Sequence, residues 1–235
     1  MPTWFPLESN PELLSKYVTD LGAGGGLRVE EVLALEDWAL DMVPQPVHAV
    51  LFLYPLTAAQ RKHEEAHPTA PLEATSDPSS GAPFFMKQTV GNACGTIAVL
   101  HSLANLDRVS GGGAVARPET WLSTFLTATA RMSPEEAAAF VAEGEASEAL
   151  AAVHTAAAVS EENATAASMD VDTHFIAFVS AGGVLYELDG RKAGPTPHGE
   201  CAPAELLPKA VEAIKGFMQR DPGELRFTIT ALVGA

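Results

Sequence analysis

The chain has 235 residues, 47% hydrophobic and 19% charged, which is enough for one core of ordinary size. Its formal net charge of -16 at pH 7 argues against nucleic acid and anionic membranes as partners and favours a neutral or basic one, although solubility alone would also account for it. The longest apolar run, "VHAVLFLYPL", is too short to span a bilayer; no basic-then-apolar leader opens the chain, and two cysteines make no disulfide framework, so the expected address is the cytosol or nucleus.

In chain order, "NPELLSKYVTDLG" predicts a helix capped by Asn10, started by Pro11 and ended at Gly22. After "GAGGG", the stretch "RVEEVLALEDWALDMVP" mixes short strand and helix signals and stops at Pro44. "VHAVLFLYP" has the length and β-branched content of a buried strand. Residues 57 to 83, rich in Pro and Ser, read as a mobile surface excursion rather than a linker, because apolar segments resume beyond them. The segment "GNACGTIAVLHSLAN" places Ile97, Leu100 and Ala104, and likewise Val99 and Leu103, at helical spacing. "PETWLSTFLTATA", "MSPEEAAAFVAEG" and "SEALAAVHTAAAV" follow as helices, the second with Ser133 as cap and glutamates in its first turn. "VDTHFIAFV" and "VLYELDG" read as two strands joined through "SAGG"; residues 204 to 219 form a further helix, and "ELRFTITALV" a closing strand. The mixture has no regular βαβ repeat and no internal repeat.

The chemistry centres on Cys94. A thiol at the start of a helix feels the positive end of the helix and unsatisfied backbone N–H groups, which favour the thiolate and can hold an oxyanion. Gly95 beside it would let a substrate backbone approach. An inert buried cysteine is the commoner fate of such a residue, and this stretch alone leaves both readings open. A nucleophilic cysteine needs a base. His101 lies two turns along the same helix, about 10 Å away, and is too far. His63 and His67 sit in the polar excursion, and His48 and His154 have no evident partner. His174 has one: a symmetric hairpin looped at Ala181–Gly182 or Ser180–Gly183 sets it directly opposite Asp189, about 5 Å away at Cβ, whereas a Gly182–Gly183 turn makes the pair diagonal on the same face. An aspartate there orients an imidazole. Gln88, six residues before Cys94, carries an amide that can donate to an oxyanion.

Taken together, "QTVGNACGT", "VDTHFIAFV" and "LYELDGRKAGP" resemble the papain-like ubiquitin C-terminal hydrolases of the short, single-domain type. "WFPLESNPE", "MVPQPVHAVLFLYPLT", "RMSPEE" and "FMQRDPGELRFTITAL" extend the resemblance, in family order, over nearly the whole chain, 1–235 as one catalytic domain. It implies an α/β (α+β) fold: an α-β-α sandwich around a mainly antiparallel sheet, with a knotted backbone and a crossover loop over the active site between about Gly144 and Asp170. It implies Cys94 as nucleophile, His174 as general base and then acid, Asp189 as orienter of His174, and Gln88 with the Cys94 N–H as oxyanion hole. Pro6, Leu7 and Glu8 match a stretch that touches ubiquitin; Glu12 would add charge, and Val171 matches a tail-contacting position. The implied reaction is hydrolysis of small or unstructured adducts from the C-terminal glycine of ubiquitin, through a Cys94 thioester, with no metal or organic cofactor. The acidic balance suits ubiquitin's basic tail. The alternatives are a low-turnover protein that holds free ubiquitin and a cysteine hydrolase for another ubiquitin-like modifier. With no heptad pattern or surplus apolar helix face, a monomer is expected.

Overall fold

The structure is a computed structural model, and it describes residues 3–70, 80–160, 163, 169 and 171–234. One six-stranded sheet organises it. The strands are β1 (Arg28–Glu31), β2 (Val47–Pro55), β3 (Thr173–Ala181), β4 (Val184–Leu188), β5 (Thr196–Glu200) and β6 (Thr228–Val233), in the spatial order β1-β6-β2-β3-β4-β5, and every neighbouring pair is antiparallel. The central strands β2 and β3 read as near-continuous apolar runs because both their faces are covered.

Two cores flank the sheet. On one face Phe175, Ala177 and Val179 of β3 pack with the helices α1 (Pro11–Leu21) and α4 (Cys94–Val109), behind which lie α5 (Trp121–Thr129), α6 (Pro134–Ala142) and α7 (Gly144–Ala158). On the other, Ile176 and Phe178 meet Leu207, Ala210, Val211, Ile214 and Phe217 of α8 (Leu206–Arg220), an i, i+3, i+4, i+7 stripe that leaves its opposite side to solvent. The sandwich of helices, sheet and helices matches the architecture that the resemblance implied.

Local chemistry set most element boundaries. The Asn10 side chain accepts from the N–H groups of Glu12 and Leu13, and α1 ends at Gly22 with φ +110°, where a Cβ would strike Thr120. Ser133 and Glu136 form a reciprocal capping box at the start of α6. The mixed stretch after Gly26 resolves into β1 and a one-turn helix, α2 (Asp37–Leu40).

Two expectations need correcting, a strand is added and one range is narrowed. The excursion at 57 to 83 contains a helix, α3 (Ala58–Ala66), capped by Thr57; it has only one buried residue, Gln60, so it carries almost no apolar signature. Residues 71–79 of that excursion lie outside the described residues. Edge strand β5, "TPHGE", has no alternating pattern and exists by pairing with β4. The range given for the crossover, 144 to 170, opens with the helix Gly144–Ala158, which the sequence also reads as largely helical; most of the remainder falls outside the described residues, apart from Val159, Ser160, Asn163 and Met169. Finally, the β3–β4 hairpin turns at Gly182–Gly183, both at positive φ, with Ala181 opposite Val184 and Ala177 opposite Leu188. The direct pairing of His174 with Asp189 is therefore wrong and the diagonal one holds: paired glycines relieve the steric cost of a tight two-residue turn, which a loop including Ala181 does not.

Candidate active site

Cys94 is the first residue of α4, with Ala93 in the cap position and no side chain capping the helix. The N–H groups of the first turn are left facing the thiol. The helix is buried along Cys94 to Leu106, so its N-terminus is held rigidly. Asn92, just before it, adopts φ +58°, a left-handed conformation that asparagine tolerates, and its Nδ2 donates to the Met169 carbonyl at 3.0 Å.

His174 stands near the start of β3, in phase with Ile176 and Phe178, and its ring meets Tyr54 of β2 edge-on at 5.9 Å. Its Nε2–H donates to Asp189 Oδ1 at 2.7 Å; the side chains are only 4% and 1% exposed. With Nε2 engaged, Nδ1 is the nitrogen left for the thiol. Burial alone would push the Cys94 thiol up, but the hydrogen bond and charge of His174, with the N–H groups of Phe175 and Gly95, outweigh it and hold the thiol below its usual range. Burial opposes the charge on His174 in turn, but the Asp189 carboxylate and the thiol raise it to about 9. Asp189 drops to about 2: burial is outweighed by the charge and hydrogen bond of His174 and by the Arg191 N–H, 2.9 Å from Oδ1. All three shifts act in the direction that favours a thiolate–imidazolium pair backed by a carboxylate.

Gln88 is positioned by a chain of backbone contacts. His101 and Asn105, one turn apart on α4, hold the extended residues Phe84 and Met86: Asn105 exchanges two hydrogen bonds with Phe84, and His101 bonds the Met86 backbone. The Gln88 N–H then donates to the Gly190 carbonyl at 2.8 Å, and Lys87 Nζ donates to the carbonyls of Lys192 and Ala193. The Gln88 amide gives one N–H to Val90 O at 3.2 Å; the second remains for an oxyanion.

Gly190 is the residue the motif reading missed. A Cβ there would lie 2.9 Å from Gln88 Cβ and 3.0 Å from Ile97 Cγ2, so only glycine lets the Asp189 turn, the Gln88 segment and the first turn of α4 meet. The expected result for Gly190→Ala is a destabilisation of about 1–3 kcal/mol and at least about a tenfold loss of turnover, read by thermal unfolding and steady-state kinetics on one preparation. Unchanged values in both would mean that the three segments can separate freely.

Gly95 works differently from the expectation. The space a side chain would take is filled by Leu7 and Phe175, at 3.3 and 3.4 Å from an added Cβ, so its bareness serves packing beside the nucleophile rather than access. Pro6 and Leu7 are accordingly buried, Glu8 and Val171 are half-buried, and Glu12 is exposed on the first turn of α1. The segment is pinned by Asn163, which accepts from the Glu8 N–H and donates to the carbonyls of Pro6 and Ala158. His154, partnerless in sequence, also holds it. Burial lowers its pKa to about 4, so it is neutral; its Nε2–H donates to Phe5 O at 2.7 Å, and Nδ1 accepts from Thr96, two residues beyond the nucleophile. The Thr96 hydroxyl therefore accepts from Tyr17 at 2.8 Å. Nothing in the local sequence links Tyr17, Thr96 and His154; the tertiary fold brings them together. Among the described residues no group of three His, Cys, Asp or Glu is arranged to hold a metal.

Comparison with known proteins agrees with this geometry. The profile of "Ubiquitin carboxyl-terminal hydrolase, family 1" matches residues 4–219. "Ubiquitin carboxyl-terminal hydrolase 3" of Arabidopsis thaliana is 42% identical over 233 residues, covering 97% of this chain and 93% of that protein. "Ubiquitin carboxyl-terminal hydrolase isozyme L1" of Homo sapiens is 40% identical over 232 residues, covering 98% of each. Among solved structures, the Trichinella spiralis UCH37 catalytic domain bound to ubiquitin vinyl methyl ester superposes with a TM-score of 0.75 over 99% of this chain and 96% of that one, at 22% identity, a likeness of fold. The chain belongs to the ubiquitin carboxyl-terminal hydrolase family 1.

Proposed function

We propose that this protein is a cysteine-type ubiquitinyl hydrolase that releases adducts from the C-terminal glycine of ubiquitin. The observation that carries the reading is the buried line Cys94, His174, Asp189, with the 2.7 Å His174–Asp189 hydrogen bond behind a thiol held below its usual pKa. The Cys94 thiolate attacks the glycine carbonyl carbon; the negative charge moves to the carbonyl oxygen, where the free N–H of Gln88 and the N–H of Cys94 receive it. Collapse expels the leaving amine, which takes its proton from the His174 imidazolium. Neutral His174 then draws a proton from water, which attacks the thioester and regenerates the thiolate as ubiquitin leaves.

Ubiquitin's basic tail and the acidic chain are complementary in sign, and Glu8 and Glu12 lie on the nucleophile-side N-terminal segment. The direct test is incubation with ubiquitin carrying a thiol-reactive group at its C-terminus, then peptide mapping. A single adduct on Cys94, much slower to form in His174→Ala, is the expected result. Binding without an adduct would favour a protein that holds free ubiquitin, and an adduct formed only with a ubiquitin-like modifier would change the substrate.

A further inference from the structure

Behind the His174–Asp189 pair, on the side away from Cys94, lies a residue that the catalytic motifs do not include. Glu64, near the end of α3, spreads its carboxylate between two partners: Oε1 accepts from the Tyr54 hydroxyl at 3.2 Å, and Oε2 accepts from Arg191 Nη2 at 3.2 Å. Each partner touches the catalytic pair. The ring of Tyr54 stands edge-on to His174, and the N–H of Arg191 is a hydrogen-bond donor to the Asp189 oxygen that His174 uses. Glu64 and Arg191 also line, together with Asp189, one small cavity of about 250 Å³. The second Asp189 oxygen, Oδ2, is buried with no hydrogen-bond partner among the described residues. A buried carboxylate with one oxygen unpartnered is sensitive to any charge brought near it.

We propose that Glu64 is a positioning residue for this active site: it fixes the Tyr54 ring against His174 and draws the guanidinium of Arg191 into an ion pair that limits the pull of this cation on Asp189. The inference rests on the proposed hydrolase reading for its effect on turnover, but not for its effect on His174 itself. Without Glu64, Tyr54 loses the acceptor that orients it, and the Arg191 cation is free to turn toward the Asp189 carboxylate and compete with the imidazolium. The Glu64–Arg191 pair is only partly exposed, at 20% and 33%, so the competition takes place where screening is incomplete.

The charges around this network come from every neighbouring element. His174 is faced by Cys94 of α4, Tyr54 of β2 and Asp189 of the turn after β4. Glu64 is surrounded by Tyr54, Arg191, Arg220 of α8 and His63 on its own helix. Lys192 and Glu187 form an ion pair beside it, shared with His198, while His67 lines the cavity. Removing the Glu64 charge takes a negative group from the surroundings of the imidazolium, and freeing Arg191 adds a positive one. Both changes favour neutral His174, so its titration moves down. Removing Arg191 has the opposite sign.

The experiment compares the parent protein with Glu64→Gln, Glu64→Ala, Arg191→Gln and the Glu64→Gln/Arg191→Gln double variant. Imidazole resonances report the His174 titration in the free protein, and kcat and KM are measured across pH with an adduct of ubiquitin. Glu64→Gln keeps an acceptor for Tyr54 and lowers the His174 titration by roughly half a pH unit. Arg191→Gln raises it, and the double variant returns toward the parent. Glu64→Ala lowers kcat about tenfold with KM within about twofold. Shifts of the same sign in both single variants, no shift, or a loss of activity with an unmoved His174 titration would overturn the proposal; the last is what a merely structural contact would give. The parent protein and Cys94→Ala assayed alongside separate the two readings: no turnover by the parent overturns the hydrolase reading and turnover by Cys94→Ala overturns its nucleophile, while the opposite-signed titration shifts remain a test of Glu64.

Discussion

Cys94→Ala abolishes hydrolysis, by about 10⁴-fold or more, while ubiquitin binding stays within a few-fold of the parent. The two readouts separate because the thiol is buried at the head of α4 and contributes little exposed surface, whereas it is the thiol that forms the acyl intermediate. The second free cysteine, Cys201, is buried on the far core, bonds the Ala202 carbonyl, and is pushed up by burial, so it offers no thiolate in reserve. Isothermal titration with free ubiquitin and a fluorogenic C-terminal amide settle the matter together. Residual turnover above about a hundredth of the parent rate would remove Cys94 from the mechanism.

Asp189→Asn lowers kcat/KM by about 10²–10⁴-fold and changes the pH dependence in a defined direction. In the parent protein the productive state carries a Cys94 thiolate and a His174 imidazolium. Activity rises as pH passes upward through the depressed Cys94 titration. It falls again as His174 loses its proton near about 9. Without the carboxylate, burial is the largest influence left on His174 and favours the neutral ring, so the alkaline limb moves down. Cys94 then loses the charge of its partner, so its acid limb moves up. The plateau narrows from both sides. A kcat/KM profile across pH 5 to about 10, with unfolding checked at each end, measures this. A variant that loses rate but keeps both limbs in place would show that Asp189 orients the ring without setting its charge.

Much of the site was legible before any coordinates. Local rules put Cys94 at a helix start and a histidine near an aspartate across a hairpin, while the roles of these residues and of Gln88 came from the family resemblance; α1, α6 and β2 carry their capping or apolar signals in plain order. The register of the hairpin was open, because "SAGG" permits more than one loop and only the pairing energy of the whole sheet selects Gly182–Gly183. Glu64 was illegible for a related reason. Its helix has one buried residue and is stabilised by docking, with Gln60 donating to the Phe217 carbonyl of α8.

By itself, then, the chain determines the residue types of the chemistry, the helices whose apolar faces repeat and the strands that are apolar throughout, because these depend on neighbours within a few residues. The tertiary structure decides what depends on distant partners. It brings Asn163 to Pro6 and Glu8, links Tyr17 through Thr96 to His154, leaves room only for glycine at 190, and seats Glu64 behind the catalytic pair. These contacts join residues far apart in the chain, and a side chain's local pattern holds no record of which distant backbone will be folded against it.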